Sequence, residues 1–291
     1  MSIFKKSYEL IDNAPKALDW GVYEKVVIEE YKELLKQKGH EESVFQEFFE
    51  RNPAFLPGAF GIYGESGHSP YNNALITQPL LHGLTSKIPD FLWIASDSGT
   101  IYPIFIEIET PNKRWFRNNG VPTAEFTQAQ NQLSDWKVWL SNPIHQNLFY
   151  QYYDIEREIA SGKFVRPQFI LIFGSRSEFE RNPEINQKRA QLVRENETYM
   201  TFDRLLPNTK ARNSITCKVR NRKYTAKFVS PTFRLGPVYA EELSKIDNKV
   251  EAINNSKIDD MRKDFILSRL TYWEEFGRKQ SNGLRNTGDW E

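Results

Sequence analysis

The spacing of apolar and polar residues predicts two helices followed by a strand near the start of the chain. Residues 22–38 carry apolar side chains at helical spacing and end in lysines, as helices commonly do. Residues 41–51 predict a second helix that ends before Pro53, because proline disfavours helix in the residue that precedes it. After a loop rich in Gly, Pro and Asn, residues 74–83 predict a first strand.

The strongest β signal is a hairpin, in which "DFLWIA" and "IYPIFIEIE" are separated by the turn signal "SDSG". If Ser98 and Gly99 form the centre of the turn, Asp90 lies opposite Glu107, with the two Cβ atoms about 4.5–5.5 Å apart. A bulge at Pro103 would break this register.

Alternation along the second strand also places Glu107 and Glu109 on one face, with Ile104, Ile106 and Ile108 on the other. The hairpin therefore predicts that Asp90 and the two glutamates converge at one of its ends.

The middle of the chain predicts a mixed α/β sheet. Residues 123–140 form an amphipathic helical pattern, and the apolar run in 167–176 is typical of a buried parallel strand. The order helix, strands, helix, strand then implies that 123–140 is a crossover helix.

The last part of the chain predicts less regular structure. A charged helix is expected around 184–196, and a second hairpin joins 214–220 to 223–229. Two charged amphipathic helices are expected over 238–278, and residues 279–291 are expected to be frayed.

The sequence thus divides into an N-terminal helical segment (1–40), a central α/β domain (41–237) and a helical extension (238–291). The helices of the extension mix acids and bases evenly and carry apolar stripes, so they suit assembly into a homo-oligomer, a dimer or higher. The alternative is that they cap the core of the monomer.

Composition excludes several classes of protein. The 39 basic and 38 acidic residues give a net charge of +1, so binding to a polyanion would require a local basic patch. The single cysteine, Cys217, excludes an intrachain disulfide and a multi-thiolate metal site. No stretch has signal-peptide character or approaches the ~20 apolar residues of a membrane span, so we expect a cytoplasmic protein without a membrane partner.

Like charges at one hairpin end are unfavourable unless they are neutralised. A divalent cation does this well, since Mg²⁺ binds one or two carboxylates together with waters and substrate phosphates. The alternative is a solvated strand end whose acids pair with Lys87, Lys113 or Arg114. The helix at 41–51 offers further polar groups, because Glu42 and Gln46 share one face, although they also suit an ordinary polar face.

Two other groups of residues suggest a functional site. Gln128, Gln132 and Trp136 recur at intervals of four and would point amides at the sheet, unless the row is a solvated stripe. The loop after the hairpin carries basic residues interleaved with an aromatic one, which suits contact with a nucleic acid, or else is a solvated loop: Lys113, Arg114, Trp115 and Arg117.

Together these residues resemble the signature of the PD-(D/E)XK nuclease fold, a mixed sheet with αβββαβ order. Pro89 and Asp90 match its first element and Glu107 its second, while Gln132 with Trp136 matches a helical Gln and an aromatic residue four positions on. Glu42 matches the helical acid that several members use.

The closer resemblance is to the nuclease domain of the Shedu family of bacterial anti-phage defence proteins. Successive blocks of residues 41–206 are similar to that domain in order: "ESVFQEFFERNP", "IPDFLW", "IEIETP", "AQNQLSDWKVWL", "FILIFGSR" and "MTFDRLL". The resemblance implies a metal-dependent endonuclease acting on phage or plasmid DNA. Asp90 and Glu107 would hold Mg²⁺, with Mn²⁺ as a substitute, Glu42 and Glu109 would complete the site, and Gln132 would position water or phosphate.

The sequence departs from the nuclease signature at one position. The signature has lysine two residues after the glutamate, where this chain has Glu109. Glu109 would then act as a ligand or a base, or Lys113 or Lys87 would supply the lysine. The alternative is a catalytically inactive relative that binds nucleic acid or serves in assembly.

Overall fold

The computed structural model describes residues 5–62, 64, 66–83, 88–180, 182–279 and 284–291. Within them the chain forms a mixed α/β fold in which helices cover both faces of a nine-stranded sheet. The predicted αβββαβ order is confirmed over residues 42–172. Two further helices and a two-residue strand lie between the crossover helix and the last strand of that order.

The helices and strands follow one another along the chain in mixed order. The helices are α1 (Trp20–Gln37), α2 (Glu42–Arg51), α3 (Ala124–Ser141), α4 (Pro143–Tyr152), α5 (Glu156–Ala160), α6 (Pro183–Gln191), α7 (Ala240–Ser244), α8 (Lys249–Asn254) and α9 (Asp260–Arg278). The strands are β1 (Ala74–Thr77), β2 (Phe91–Ser96), β3 (Thr100–Ile108), β4 (Phe164–Val165), β5 (Gln168–Ile172), β6 (Glu197–Met200), β7 (Ile215–Arg220), β8 (Lys223–Val229) and β9 (Ile246–Asp247).

The sheet has the order β6-β5-β3-β2-β1-β7-β8-β9, with β4 paired to β3. Strands β1 and β7 are parallel, as are β3 and β5, whereas β2 runs antiparallel to both of its neighbours. Helix α3 therefore lies in the connection between two adjacent parallel strands, as predicted. The arrangement also brings the carboxyl ends of β1, β3, β5 and β7 to one edge of the sheet.

The β2–β3 hairpin has the predicted register. Phe91 pairs with Ile106 and Ile94 pairs with Pro103, so no bulge interrupts the ladder at the proline. Asp90 directly precedes the first of these pairs, and its backbone N–H donates to the carbonyl of Ile106 at 3.1 Å. The register places Asp90 and Glu107 at the same end of the hairpin.

Alternating side chains of the sheet pack into two separate cores. Ile104, Ile106 and Ile108 lie with α1 and α2 on one face, as predicted for the three isoleucines. Phe105 lies on the other face with α3, α4 and the helices of the extension. Glu107 follows the alternation of Phe105 and so lies on the α3 face.

The structure corrects the prediction for residues 238–278. The extension contains three helices and a short strand rather than two helices, because Asn248 takes a left-handed conformation (φ 60°) that separates β9 from α8. Similarly, α6 ends at Gln191, short of the predicted 196. The hairpin of β7 and β8 is confirmed, and its turn residues Asn221 and Arg222 both have positive φ.

The prediction that residues 279–291 are frayed is wrong for the described part of that segment. Glu291 is buried, and its backbone exchanges two hydrogen bonds with Leu235. Its carboxylate accepts from Arg269 at 2.8 Å and from the indole of Trp273 at 2.7 Å. Long-range contacts of this kind hold the segment against α9.

The apolar stripes of the extension are largely used within the chain. Leu243, Ile246 and Ile253 are buried in the core that also contains Phe105, whereas Val250 is 56% exposed. The role of the extension in forming a homo-oligomer stays a prediction. No helix in the described residues is both long and apolar enough to cross a membrane.

Gly174, which follows β5, is required by both its conformation and its surroundings. Its φ is +67°, and a Cβ there would lie 2.7 Å from the carbonyl of Lys113 and 2.8 Å from the indole nitrogen of Trp115. We predict that Gly174→Ala lowers the free energy of unfolding by at least about 2 kcal/mol. Chemical denaturation measures the change.

Gly99 provides the matched control, since a Cβ there meets nothing within 4 Å and its φ is not left-handed. Gly99→Ala should alter the unfolding free energy by less than about 1 kcal/mol. Equal effects of the two substitutions would contradict the close approach at Gly174.

Candidate active site

The candidate site lies at the sheet edge where the carboxyl ends of the parallel strands meet. β3 ends at Ile108, so Glu107 is the second-to-last residue of the strand and Glu109 is the first residue after it. Asp90 lies just before β2, which starts at this same edge because it is antiparallel to β3. The predicted convergence of the three acids is therefore the consequence of hairpin register.

Asp90, which is half-buried, and Glu107, which is buried, form a carboxyl pair. Asp90 Oδ2 accepts a hydrogen bond from the backbone N–H of Ile108 at 2.8 Å. Glu107 is only 6% exposed, and its side chain is hydrogen bonded to that of Asp90. Glu107 Oε2 is buried without a hydrogen-bond partner among the described residues. A solvated strand end is therefore the wrong description of Glu107.

Burial and mutual repulsion raise the pKa of both carboxyl groups. For Asp90, burial is the main cause, opposed by the hydrogen bond from Ile108 and reinforced by the charge of Glu42, and the pKa rises to about 7. Burial also raises the pKa of Glu107 well above its usual value, followed by the charges of Asp90, Glu109 and Glu42. The pair therefore binds protons at higher pH than two solvated carboxylates would, and a cation bound there would favour their release.

Glu42 and Glu109 lie close enough to act electrostatically on this pair. Partial burial raises the pKa of Glu42, with a further contribution from the charge of Glu109 and an opposing one from Lys113. Glu109 itself forms an ion pair with Lys113. The four predicted acids thus lie within electrostatic range of one another, and Lys113 pairs with one of them, while Lys87 lies outside the described residues.

Gln46 lies one helical turn after Glu42 and contacts the strand next to the acids. Its amide nitrogen donates to Thr77 Oγ1 at 3.1 Å, and Thr77 Oγ1 donates to Glu50 at 2.6 Å. Gln46 Oε1 is buried and accepts no hydrogen bond from the described residues. This chain of contacts holds α2 against the end of β1.

The two glutamines of α3 that were predicted to face the sheet differ in their exposure to solvent. Trp136 is buried and Gln132 is half-buried, but Gln128 is exposed, so the predicted row of amides facing the sheet is wrong at Gln128. The buried amide of this helix is Gln130, which donates to the hydroxyl of Tyr199 at 3.0 Å.

The loop after β3 contains one residue that the sequence assigned wrongly. Trp115 is fully buried, stacks on Phe126 with 4.6 Å between ring centroids, and donates from its indole N–H to the carbonyl of Phe173. It therefore packs in the core and cannot stack on a base. Arg114 and Arg117 are exposed beside it, as expected for a surface loop.

The donor set fits a hard divalent cation that binds two carboxylates. In the part of the chain that the structure describes, no three His, Cys, Asp or Glu side chains are grouped so that they could hold a metal ion together. Mg²⁺ commonly takes only one or two protein carboxylates and completes its shell with waters and substrate phosphate. The carboxyl pair, with one unpartnered oxygen on Glu107, matches that requirement.

Asp90 also lines an open groove that the sequence did not indicate. The groove has a volume of about 330 Å³. Besides Asp90, its polar lining includes Gln78, which follows β1, and Lys218 and Arg220 of β7. The signal that would have found the two basic residues is the alternation in "ITCKVR", which places Lys218 and Arg220 on one face.

Comparison with known protein families shows the family to which the chain belongs. Residues 39–206, which run from just before α2 to beyond β6, match the family described as Shedu protein SduA, C-terminal. The match covers more than half of the 291 residues, and the chain belongs to this family. The family implies a role in anti-phage defence. No curated protein matches the chain.

The raised pKa of Asp90 predicts a pH-dependent effect of Asp90→Asn. The unfolded pKa is about 3.9, so the charged carboxylate destabilises the metal-free fold increasingly from about pH 4 to pH 7 and fully above that. Asp90→Asn should therefore raise the unfolding free energy by up to roughly 4 kcal/mol at pH 8 and by little at pH 4. Denaturation in EDTA at both pH values measures this.

Asp247, an exposed aspartate on β9, serves as the control. Asp247→Asn should change stability by less than about 0.5 kcal/mol at either pH. A loss of stability in Asp90→Asn that is the same at pH 4 and pH 8 would show that Asp90 is a structural acceptor instead.

Proposed function

We propose that the protein is a metal-dependent DNA endonuclease that acts in the cytoplasm in anti-phage defence. The observation that carries the proposal is the Asp90–Glu107 pair at the sheet edge, in which Glu107 is buried with one carboxylate oxygen that has no partner among the described residues. Membership of the Shedu family supports a role in defence, and the proposed substrate is phage or plasmid DNA.

Asp90 and Glu107 would hold Mg²⁺, or Mn²⁺ in its place, with Glu42 at the accessible side of the pair. A divalent cation held there would supply Lewis acidity for the scissile phosphate and for a nearby water. The hydrogen bond from the backbone N–H of Ile108 to Oδ2 fixes the orientation of the Asp90 carboxyl group even without a bound metal ion. Gln132, half-buried on α3, would orient the water or the phosphate by hydrogen bonding.

Lys113 would supply the positive charge that comes from the signature lysine in other nucleases of this fold. It reaches the acids from four residues beyond Glu109 and pairs with that carboxylate. In this role Glu109 orients the ammonium group of Lys113, which stabilises the developing charge on the phosphate. Glu109 thus occupies the signature position while the charge comes from the neighbouring loop.

The exposed arginines of that loop would contact the DNA backbone next to the site. Arg114 hydrogen bonds to Asn118 at 3.0 Å and lies 4.0 Å from Glu178, so it is held at the loop surface. Arg117 is exposed three residues further on. Sequence-independent contacts of this kind position a duplex without reading its bases.

We further propose that the chain assembles as a homo-oligomer through its C-terminal extension. Val250 on α8 and Met261 on α9 are large apolar side chains that remain exposed, at 56% and 71%. A twofold dimer would present two sites to the two strands of a duplex.

A catalytically inactive module that binds nucleic acid is the second candidate. It is favoured by the glutamate at the position where active nucleases carry lysine, because the Glu109–Lys113 ion pair could simply close the site. Cleavage assays on the acids and on Glu109 separate the two candidates.

The first of these assays concerns the carboxyl pair. We predict that Asp90→Ala and Glu107→Ala each reduce cleavage of supercoiled DNA in Mg²⁺ or Mn²⁺ by at least ~10³-fold, because each removes a proposed ligand. Both variants should stay folded, and both should unfold at a temperature equal to or above that of the wild-type protein in EDTA. Gel assays and thermal denaturation give the two readouts.

Glu195→Ala, at a carboxylate after α6 that is far along the chain from the site, controls for loss of an acid and should cleave at the wild-type rate. Retained cleavage in Asp90→Ala together with a marked fall in unfolding temperature would contradict the proposed role of the pair.

The second assay concerns Glu109. Glu109→Gln removes the charge that orients Lys113, and we predict a cleavage rate at least ~10-fold lower. Glu109→Lys should keep activity, since it restores the usual signature. Single-turnover rates measure both, and wild-type rates in Glu109→Gln and Lys113→Gln alike would exclude this ion pair from the mechanism.

A further inference from the structure

The β7–β8 hairpin carries a row of basic side chains on one face. Lys218 and Arg220 are two residues apart on β7, and Arg220 pairs in register with Lys223 on β8. Strand alternation places all three on the face opposite Cys217 and Val219, which are buried in the α3-side core. The hairpin lies beyond the segment 39–206 that matches the family.

The described residues provide no acid that neutralises these basic groups. Lys218 Nζ donates to the amide oxygen of Gln78 at 3.2 Å, which is a neutral partner. No ion pair joins Lys218, Arg220 or Lys223 to an acid of the described ranges, whereas Lys227, further along β8, pairs with the buried Glu50 at 2.6 Å. The chain as a whole has a net charge of only +1, so three unneutralised cations together form a distinct local patch.

The patch meets the candidate active site at the sheet edge, where both line one groove, although its side chains project from the face opposite that of Glu107. Gln78, the partner of Lys218, donates its backbone N–H to the carbonyl of Asp90 at 2.7 Å. Lys218 and Arg220 line the same groove as Asp90. Charge along this edge of the sheet therefore changes from negative on β3 to positive on β7.

The spacing along the sheet edge suits a polynucleotide. Strands β3 and β7 are separated by β2 and β1, so at ~4.8 Å per strand the glutamate and lysine positions lie about 14 Å apart. Each DNA strand carries one phosphate per ~3.4 Å of helix axis, so about four phosphate steps fit between the two positions. Because duplex DNA presents a regular row of phosphates, the basic groups would meet phosphates beyond the one held at the acids.

We propose that Lys218, Arg220 and Lys223 form a phosphate-binding surface that holds the backbone of duplex DNA a few nucleotides away from the scissile bond. The inference rests on the proposed nuclease function for the identity of the DNA site, but it makes a separate claim about binding. The hairpin positions the duplex, and the acids act on it.

The test measures binding without cleavage. Fluorescence anisotropy in EDTA gives the affinity of the full chain for a labelled ~20-base-pair duplex over a series of salt concentrations. Loss of two phosphate contacts in Lys218→Gln/Arg220→Gln should weaken binding at least ~10-fold at 100 mM salt and reduce the slope of log K against log salt by about 2. Lys223→Gln alone should reduce the slope by about 1.

Lys16→Gln/Lys25→Gln is the matched control, since it makes the same change in net charge at two exposed lysines before and within α1. It should bind with the wild-type affinity and salt slope. Wild-type affinity and slope in Lys218→Gln/Arg220→Gln, or an equal loss in the control, would overturn the proposal. So would the absence of duplex binding by the wild-type chain.

The same variants separate this inference from the nuclease proposal. In Mg²⁺, Lys218→Gln/Arg220→Gln should raise the DNA concentration needed for half-maximal cleavage and leave the maximal rate within about 2-fold. Asp90→Ala should lose cleavage but keep the wild-type salt slope in EDTA. Cleavage that survives in Asp90→Ala would refute the nuclease mechanism alone, whereas an unchanged salt slope in the hairpin variant would refute the binding surface alone.

Discussion

The candidate site depends most on the close approach of two carboxyl groups, a half-buried Asp90 and a buried Glu107, at the end of one hairpin. Asp90 and Glu107 are brought together by strand register, and the backbone N–H of Ile108 orients one of them. Two carboxylates removed from water repel each other and raise each other's pKa, which makes the site unfavourable in isolation and receptive to a cation. The two carboxyl groups lower the free energy of unfolding of the metal-free protein, and this cost is the physical reason to regard this sheet edge as functional.

Much of this could be predicted from the sequence because it depends on local rules. The turn signal and the alternation of the strands determine which residues face one another, so the opposition of Asp90 and Glu107 follows once no bulge occurs at Pro103. The parallel strand β5 and its crossover helix follow from the order of apolar runs. The match over residues 39–206 confirms the family that the ordered blocks resemble.

The rest depends on long-range packing that local patterns do not show. Trp115 lies in a basic loop, but Gly174 lets its indole approach β5 closely and enter the core. The polar segment that ends in Glu291 is held by partners on α9, and the basic face of β7 gains significance only because β7 pairs with β1 beside Asp90. In each case the neighbour across the fold, rather than along the chain, decides the role of the residue.

The most direct test of the central claim is a calorimetric titration of the metal-free chain with Mn²⁺ at pH 6.5 in two buffers of different ionisation enthalpy. A carboxyl pair that is protonated when empty must release a proton when it binds a cation. We therefore predict one Mn²⁺ per chain, with the observed heat differing between the buffers by the amount expected for release of about one proton. The absence of binding, or binding with the same heat in both buffers, would contradict the account.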